Sequence, residues 1–190
     1  MASGSPPFVE KIRQERPDKT IEVWLQDECR IGQQGTLTRC WASTGSRPTA
    51  VKQTEYEWIY LFGAVHPWTG ASSALLAPTV NTDYMNHHLR FISEQAGSDA
   101  HVILIVDQAG WHKAKTLQVP DNISLFYLPS YSPELNAIER LWAYLKSHYL
   151  SNRAFSNYDD LLNNCRDAWN KITPEQFCTI CNTNWIPRED

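Results

Sequence analysis

No apolar run in this chain approaches the ~20 residues that a membrane-spanning helix needs, so no such helix is expected. Cysteine is sparse and odd in number, five residues at 29, 40, 165, 178 and 181. They have no framework spacing, which argues against a disulfide scaffold and for free thiols in a reducing cytoplasm. Cys178 and Cys181 have the C-x-x-C spacing, but a second ligand pair is missing and zinc is not expected. Basic residues are not in excess: 17 Lys and Arg face 21 Asp and Glu, a formal net charge of -4. That argues against a protein whose whole surface grips nucleic acid, though a local basic track remains compatible with it. The N-terminus lacks a basic segment followed by an apolar one, so no secretory signal is visible. There is no internal repeat, and low complexity is confined to the first few residues, which read as a flexible leader.

What is present fits one globular domain of ordinary size. The chain has 190 residues, of which 42% are hydrophobic, and its eight Trp and eight Tyr can fill a sizeable core. Residues 1–19 read as leader or linker and 20–186 as a single domain. Ile21, Val23 and Leu25 alternate with Glu22 and Trp24, as in a half-buried strand ending at Asp27. A second short strand is expected from Thr36 to Trp41. Tyr56, Trp58, Tyr60 and Phe62 line one face of the next strand, Ile59 and Leu61 the other. The turn His66-Pro67-Trp68-Thr69-Gly70 then leads into a returning strand at 71–77. The aromatic face reads as core, not as a base-stacking platform.

Asn81 or Thr82 caps a helix to about Gln95, broken by Gly97. His87 and His88 on that helix are expected to be exposed. Val102–Val106 has no alternation and reads as a strand buried on both faces, with parallel neighbours; it ends at Asp107. A short helix over Trp111–Leu117 and a strand over Ile123–Leu128 follow. Ser132 and Pro133 open a helix that runs to about Leu150, with Ile138, Leu141, Trp142, Leu145 and Tyr149 as its apolar stripe and Glu139 at the stripe's edge. Two more helices are expected at 156–170 and 174–182. The plan is α/β, a mixed five-stranded sheet flanked by helices, in the element order of a ribonuclease H-like fold.

Three carboxylates, Asp27, Asp107 and Glu139, fall on rigid elements at places where one site can collect them. Each has an ordinary alternative: a turn-forming Asp after a strand, or a capping box in which Glu139 reaches back to Asn136. Glu28 is a competing carboxylate, but alternation puts it on the face opposite Asp27. Taken together, three hard oxygen ligands suit Mg²⁺, and a pair of such ions cuts and joins phosphodiesters. A metal-dependent nucleic-acid enzyme is therefore the leading expectation.

The stretch Leu128-Pro129-Ser130-Tyr131-Ser132-Pro133-Glu134-Leu135-Asn136-Ala137-Ile138-Glu139-Arg140-Leu141-Trp142 resembles the third-acid segment of mariner-type DDE transposases, particularly their bacterial insertion-sequence branch. Asp107-Gln108-Ala109-Gly110-Trp111-His112-Lys113-Ala114 resembles the second-acid segment, and Gln26-Asp27-Glu28-Cys29-Arg30 the first. By this resemblance Asp27, Asp107 and Glu139 are the catalytic and metal-binding triad, holding two Mg²⁺ ions, with Mn²⁺ as substitute. The implied activity is cleavage at transposon ends and strand transfer into target DNA, in the bacterial cytoplasm at the nucleoid. The implied assembly is a homodimer. His112, Lys113, Arg140 and Lys146 are candidates for DNA contact or accessory roles. Three positions depart from the family's pattern: Gln108 stands where Asn is usual, and Ser130 and Ala137 where Pro is usual. The spacing of 32 positions from Asp107 to Glu139 is slightly short. Family members also carry N-terminal helix-turn-helix modules. About 20 residues precede the first strand here, so that module is expected on a separate polypeptide or lost. The alternatives are a decayed module that only binds DNA or dimerises, and another ribonuclease H-like nuclease such as a junction resolvase.

Overall fold

The computed structural model describes residues 6–33, 39, 41–46 and 57–186. The second short strand expected from Thr36 to Trp41 lies largely outside them, as does Tyr56. Among the described residues five strands form one mixed sheet: β1 (Thr20–Gly32), β2 (Trp58–Val65), β3 (Ser72–Ala77), β4 (Ala100–Val106) and β5 (Ile123–Tyr127). Their spatial order is β3-β2-β1-β4-β5. The first three are antiparallel neighbours, and β1, β4 and β5 run parallel.

The central strand does not end at Asp27. Its first part, Thr20 to Leu25, pairs with β4, while Leu25 to Gly32 pairs with β2. Asp27 thus lies just past the end of the parallel ladder, in a strand that the antiparallel ladder carries on for five more residues. Nor is this strand half-buried. Ile21, Val23 and Leu25 are buried on one face and Trp24 on the other, because helices cover both faces of the sheet.

On one face, α2 (Thr82–Ala96) buries Met85, Leu89 and Ile92 against Trp24, Phe62, Val102, Leu104 and Val106. The Asn81 side chain accepts from the Tyr84 N–H and starts this helix. Gly97 ends it with φ at 80°, a left-handed value that glycine adopts without strain. The expectation that His88 is exposed is wrong. It falls three residues after Met85 and four before Ile92, on the buried stripe, and only its neighbour His87 is exposed.

The other face carries the larger core. There α3 (Ile138–Leu145), α4 (Tyr158–Asn170) and α5 (Pro174–Ile180) pack on Val23, Leu25, Ile59, Leu61, Ile103 and Ile105. Residues 7–15, within the span read as lead-in, form a helix, α1, with Pro at its start. Its Val9 is buried and Phe8 stacks on Phe126 of β5 with ring centroids 3.8 Å apart. Among the described residues no helix is long and apolar enough to cross a membrane.

The segment after β5 departs from the expected single helix. Pro133–Leu135 make one 3₁₀ turn, Asn136 leaves helical geometry at φ -93°, ψ 98°, and α3 begins only at Ile138. The cause is a tether: the buried Asn136 amide donates to the Gln26 carbonyl oxygen of β1 at 2.9 Å. The last turns, Lys146–Leu150, widen to a π-helix. The expected helix at 111–117 is likewise only a 3₁₀ turn, Gly110–His112.

Candidate functional site

Strand register brings the first two acids together. Leu25 of β1 is paired with Ile105 of β4 in parallel. Two residues further on, just past the end of that ladder, Asp27 and Asp107 continue the two neighbouring strands and line the same cleft. Both continue the phase of the residues that face α3 and α4. The third acid comes from the helix side. Glu139 is exposed in the first turn of α3, where the helix dipole favours a negative charge. All three line one cleft of about 430 Å³. Its remaining wall is Gln108, Ala109, Asn136 and the loop from Leu128 to Pro133. The capping box is not formed, since Ala137 precedes the helix and makes no side-chain cap bond.

The acids differ in environment. Asp27 is half-buried, and burial pushes its carboxyl up to about 7. The indole N–H of Trp142 donates to its Oδ2 at 2.8 Å and opposes the rise, while the charges of Glu28 and Glu139 add to it. The Trp142 ring reaches this position because the residue paired with Asp27 on β2 is Gly63. A Cβ there would stand 2.6 Å from the Trp142 ring and 2.9 Å from Trp169. Asp107 is the reverse case: the hydrogen bond from His112 holds its carboxyl below the usual range against a smaller effect of burial.

His112 is not a surface side chain. It is fully buried, with Nδ1 2.8 Å from Asp107 Oδ1 and Nε2 3.2 Å from Glu28 Oε1. Burial works against its charge, but the bonds to Asp107 and Glu28 outweigh it and place its pKa at about 9. Lys113 is exposed; its Nζ donates to Gln108 Oε1 at 2.6 Å and lies 5.7 Å from the centre of the Tyr127 ring. Arg140 is exposed and donates to the carbonyl of Asn182. Lys146 sits beside the buried thiol of Cys29, which burial raises and the ammonium lowers. Gln108 is a wall tie, donating to the Leu128 carbonyl at 2.8 Å.

One residue of this site, Gly63, was passed over in the sequence, and three were read without the role they have here: Glu28 as a competing carboxylate, Asn136 as a helix cap and Trp142 as apolar stripe. A glycine inside the apolar strand Leu61-Phe62-Gly63-Ala64-Val65 is itself a signal of close approach. Adjacent acids within one strand oblige one to face the opposite core. Trp142 reads as stripe, and its N–H role depends on the register of two strands.

The donor set is chemically that of a hard divalent cation, three carboxylates on one cleft. Among the described residues, however, no three His, Cys, Asp or Glu side chains are gathered closely enough to form a ready metal cage. Two oxygens of the set are engaged instead, Asp107 Oδ1 by His112 and the Ala109 N–H, and Asp27 Oδ2 by Trp142.

A family model described as DDE superfamily endonuclease matches residues 22–162. The chain is 44% identical over 133 residues to the uncharacterised protein y4pE/y4sA of Sinorhizobium fredii, covering 69% of this chain and 98% of that one. It is 27% identical over 156 residues to the uncharacterised 39 kDa protein of insertion element IS630 from Shigella sonnei, covering 80% of this chain and 46% of that one. In fold it matches the Mos1 strand transfer complex with a TM-score of 0.63 at 16% identity, covering 92% of this chain and 54% of that one. The Mos1 mariner paired-end complex with Mn matches at 0.61 and 17% identity. The chain thus spans about half the length of the insertion-element protein and of the Mos1 chain.

Proposed function

We propose, for a chain that belongs to the family of DDE superfamily endonucleases, that it is the catalytic part of a transposase, residues 20–186 forming the reacting domain. It would nick DNA at transposon ends and join the freed 3′-hydroxyl to target DNA. The observation that carries this reading is the juxtaposition of Asp27 and Asp107 on neighbouring parallel strands, with Glu139 on the same cleft. Asp27, Asp107 and Glu139 would hold two Mg²⁺ ions, or Mn²⁺ in their place. When bound, such ions supply charge stabilisation at the attacking and leaving oxygens of a phosphodiester.

The chain's own residues do the arranging. Asp27 comes from the central strand, and burial, with the charges of Glu28 and Glu139, holds its carboxyl up at about 7, a cost that a bound cation would offset. Trp142 orients Asp27, and His112 orients Asp107. The exposed Lys113 and Arg140 border these elements and are suited to phosphate. Among the described residues no Lys or Arg lines the cleft itself, so a separate helix-turn-helix polypeptide or segment is expected to do most of the DNA holding. The relatives are bacterial and Mos1 forms paired-end complexes. By extension this chain would act as a homodimer on DNA, in a bacterial cytoplasm at the nucleoid.

The test is Asp107→Asn in a plasmid-nicking assay with Mg²⁺ or Mn²⁺. Loss of nicking by at least a hundredfold is expected, and unchanged cleavage removes Asp107 from the mechanism. The absence of a ready metal cage among the described residues favours a second reading, a decayed module that binds DNA or dimerises without cutting it. Mn²⁺ titration followed by paramagnetic broadening separates the two. Joint perturbation of Asp27, Asp107 and Glu139 supports the enzyme, and no perturbation supports the decayed module.

A further inference from the structure

We propose that Glu28 is a positioning residue which, acting through His112, holds Asp107 with its Oδ2 presented to a divalent cation in the cleft. The inference rests on the reading of the cleft given above. Glu28 cannot touch that cation itself, since it lies on the sheet face opposite Asp27, and its side chain is only 6% exposed. Its Oε1 is the focus of three donors: Gln26 Nε2 at 3.0 Å, Trp111 Nε1 at 3.2 Å and His112 Nε2 at 3.2 Å.

The imidazole then passes the constraint across the end of the sheet. His112 is wholly buried, and its Nδ1 meets Asp107 Oδ1 at 2.8 Å. The same oxygen accepts the Ala109 N–H at 2.9 Å. Two donors thus tie one oxygen of Asp107 and leave Oδ2 without a protein partner among the described residues. The clamp matters because Asp107 is otherwise loose: its side chain is 55% exposed, just beyond the last residue of β4. An exposed carboxylate at a strand end has several rotamers open to it. Fixing one of them lowers the ordering that cation binding would demand. Partners that orient a metal ligand in this way typically govern affinity by about 10- to 100-fold. A buried Glu28 that served the fold alone would need neither a histidine between two carboxylates nor an oxygen of the exposed one left open.

The experiment measures Mn²⁺ binding to the full chain by the electron paramagnetic resonance signal of free Mn²⁺, beside plasmid nicking at varied Mg²⁺. Wild type is compared with Glu28→Gln and His112→Asn, and with Asp107→Asn as reference. Glu28→Gln is expected to weaken Mn²⁺ binding by about tenfold or more. It should raise the Mg²⁺ concentration for half-maximal nicking by the same factor while leaving the rate at saturating Mg²⁺ within about twofold. Circular dichroism establishes that each variant is folded. His112→Asn, which can still donate to Asp107 but cannot reach Glu28, is read in the same way if Glu28→Gln does not fold. Folded variants that bind Mn²⁺ like wild type, while Asp107→Asn does not, overturn the role of Glu28 and leave the cleft reading intact. If Asp107→Asn binds Mn²⁺ like wild type, the cleft reading itself fails and this inference with it.

Discussion

Replacing Asp27 by Asn should make the metal-free protein more stable while removing its response to divalent ions. In the folded state the Asp27 carboxyl is raised from an ordinary 3.8 to about 7, chiefly by burial. A group whose folded pKa is raised contributes stability that is fully present below its unfolded pKa and lost as pH rises through the folded one. The loss here runs from about pH 4 to pH 7, where the unfolded chain releases a proton that the folded chain keeps. Three pH units at about 1.4 kcal/mol each set an upper bound of about 4 kcal/mol. Because Asp27 is only half-buried, solvent screening brings the expectation to about 2 kcal/mol. Asn keeps an oxygen to accept from the Trp142 indole, so that hydrogen bond does not confound the comparison. The assay is urea unfolding followed by tryptophan fluorescence in EDTA, wild type against Asp27→Asn, from pH 4 to pH 8.5. The variant's advantage should be near zero at pH 4, grow to pH 7 and then level off. Adding Mn²⁺ above pH 7 should stabilise wild type and not the variant. A variant no more stable than wild type at pH 8 would show that the charge on Asp27 is not costly, and one equally stabilised by Mn²⁺ would show that no cation answers it.

Gly63→Ala would drive a methyl to 2.6 Å from the Trp142 ring and 2.9 Å from Trp169; a cost of about 1–3 kcal/mol is expected, and an unchanged urea midpoint with an unchanged near-ultraviolet dichroism spectrum would refute the close fit. Burial lowers His88 from 6.5 to about 4, so the unfolded chain takes up a proton first as pH falls. The stability present above pH 6.5 should decline by about 3 kcal/mol toward pH 4, and a His88→Gln variant with the same pH slope between 4 and 6.5 would exclude His88 as its source. Asn136→Ala leaves the Gln26 carbonyl without its buried partner, for a loss of about 1–3 kcal/mol and a weakened hold on the loop before Glu139. Urea unfolding checks the first effect, and amide exchange at Leu135–Glu139 no faster than in wild type would refute the second.

From β1 onward the element order, the antiparallel β1-β2-β3 ladder, the doubly buried β4 and the apolar stripe of α3 were legible because each is a local pattern; α1, in the span read as leader, was not. Val102–Val106 has no polar position, and no solvent-facing strand tolerates that. Ile138, Leu141, Trp142 and Leu145 fall on one helical face whatever surrounds them. The boundaries that failed were those set by distant partners. β1 runs on past Asp27 because β2 is there to pair with it. The helix after Ser132 is interrupted because Asn136 finds the Gln26 carbonyl, 110 positions away in the chain.

The same division holds for the site. Sequence alone singled out three carboxylates as candidates, because acids at the ends of apolar runs and beside a helical stripe stand out against their neighbours. It also put Glu28 on the far face, since side chains alternate along a strand. Only the tertiary structure decided what surrounds them: the parallel register that sets Asp27 beside Asp107, the glycine that admits the Trp142 ring, and the buried histidine bridging Asp107 and Glu28. Those contacts depend on the relative placement of separate strands and helices, which long-range packing determines and no short stretch of chain encodes.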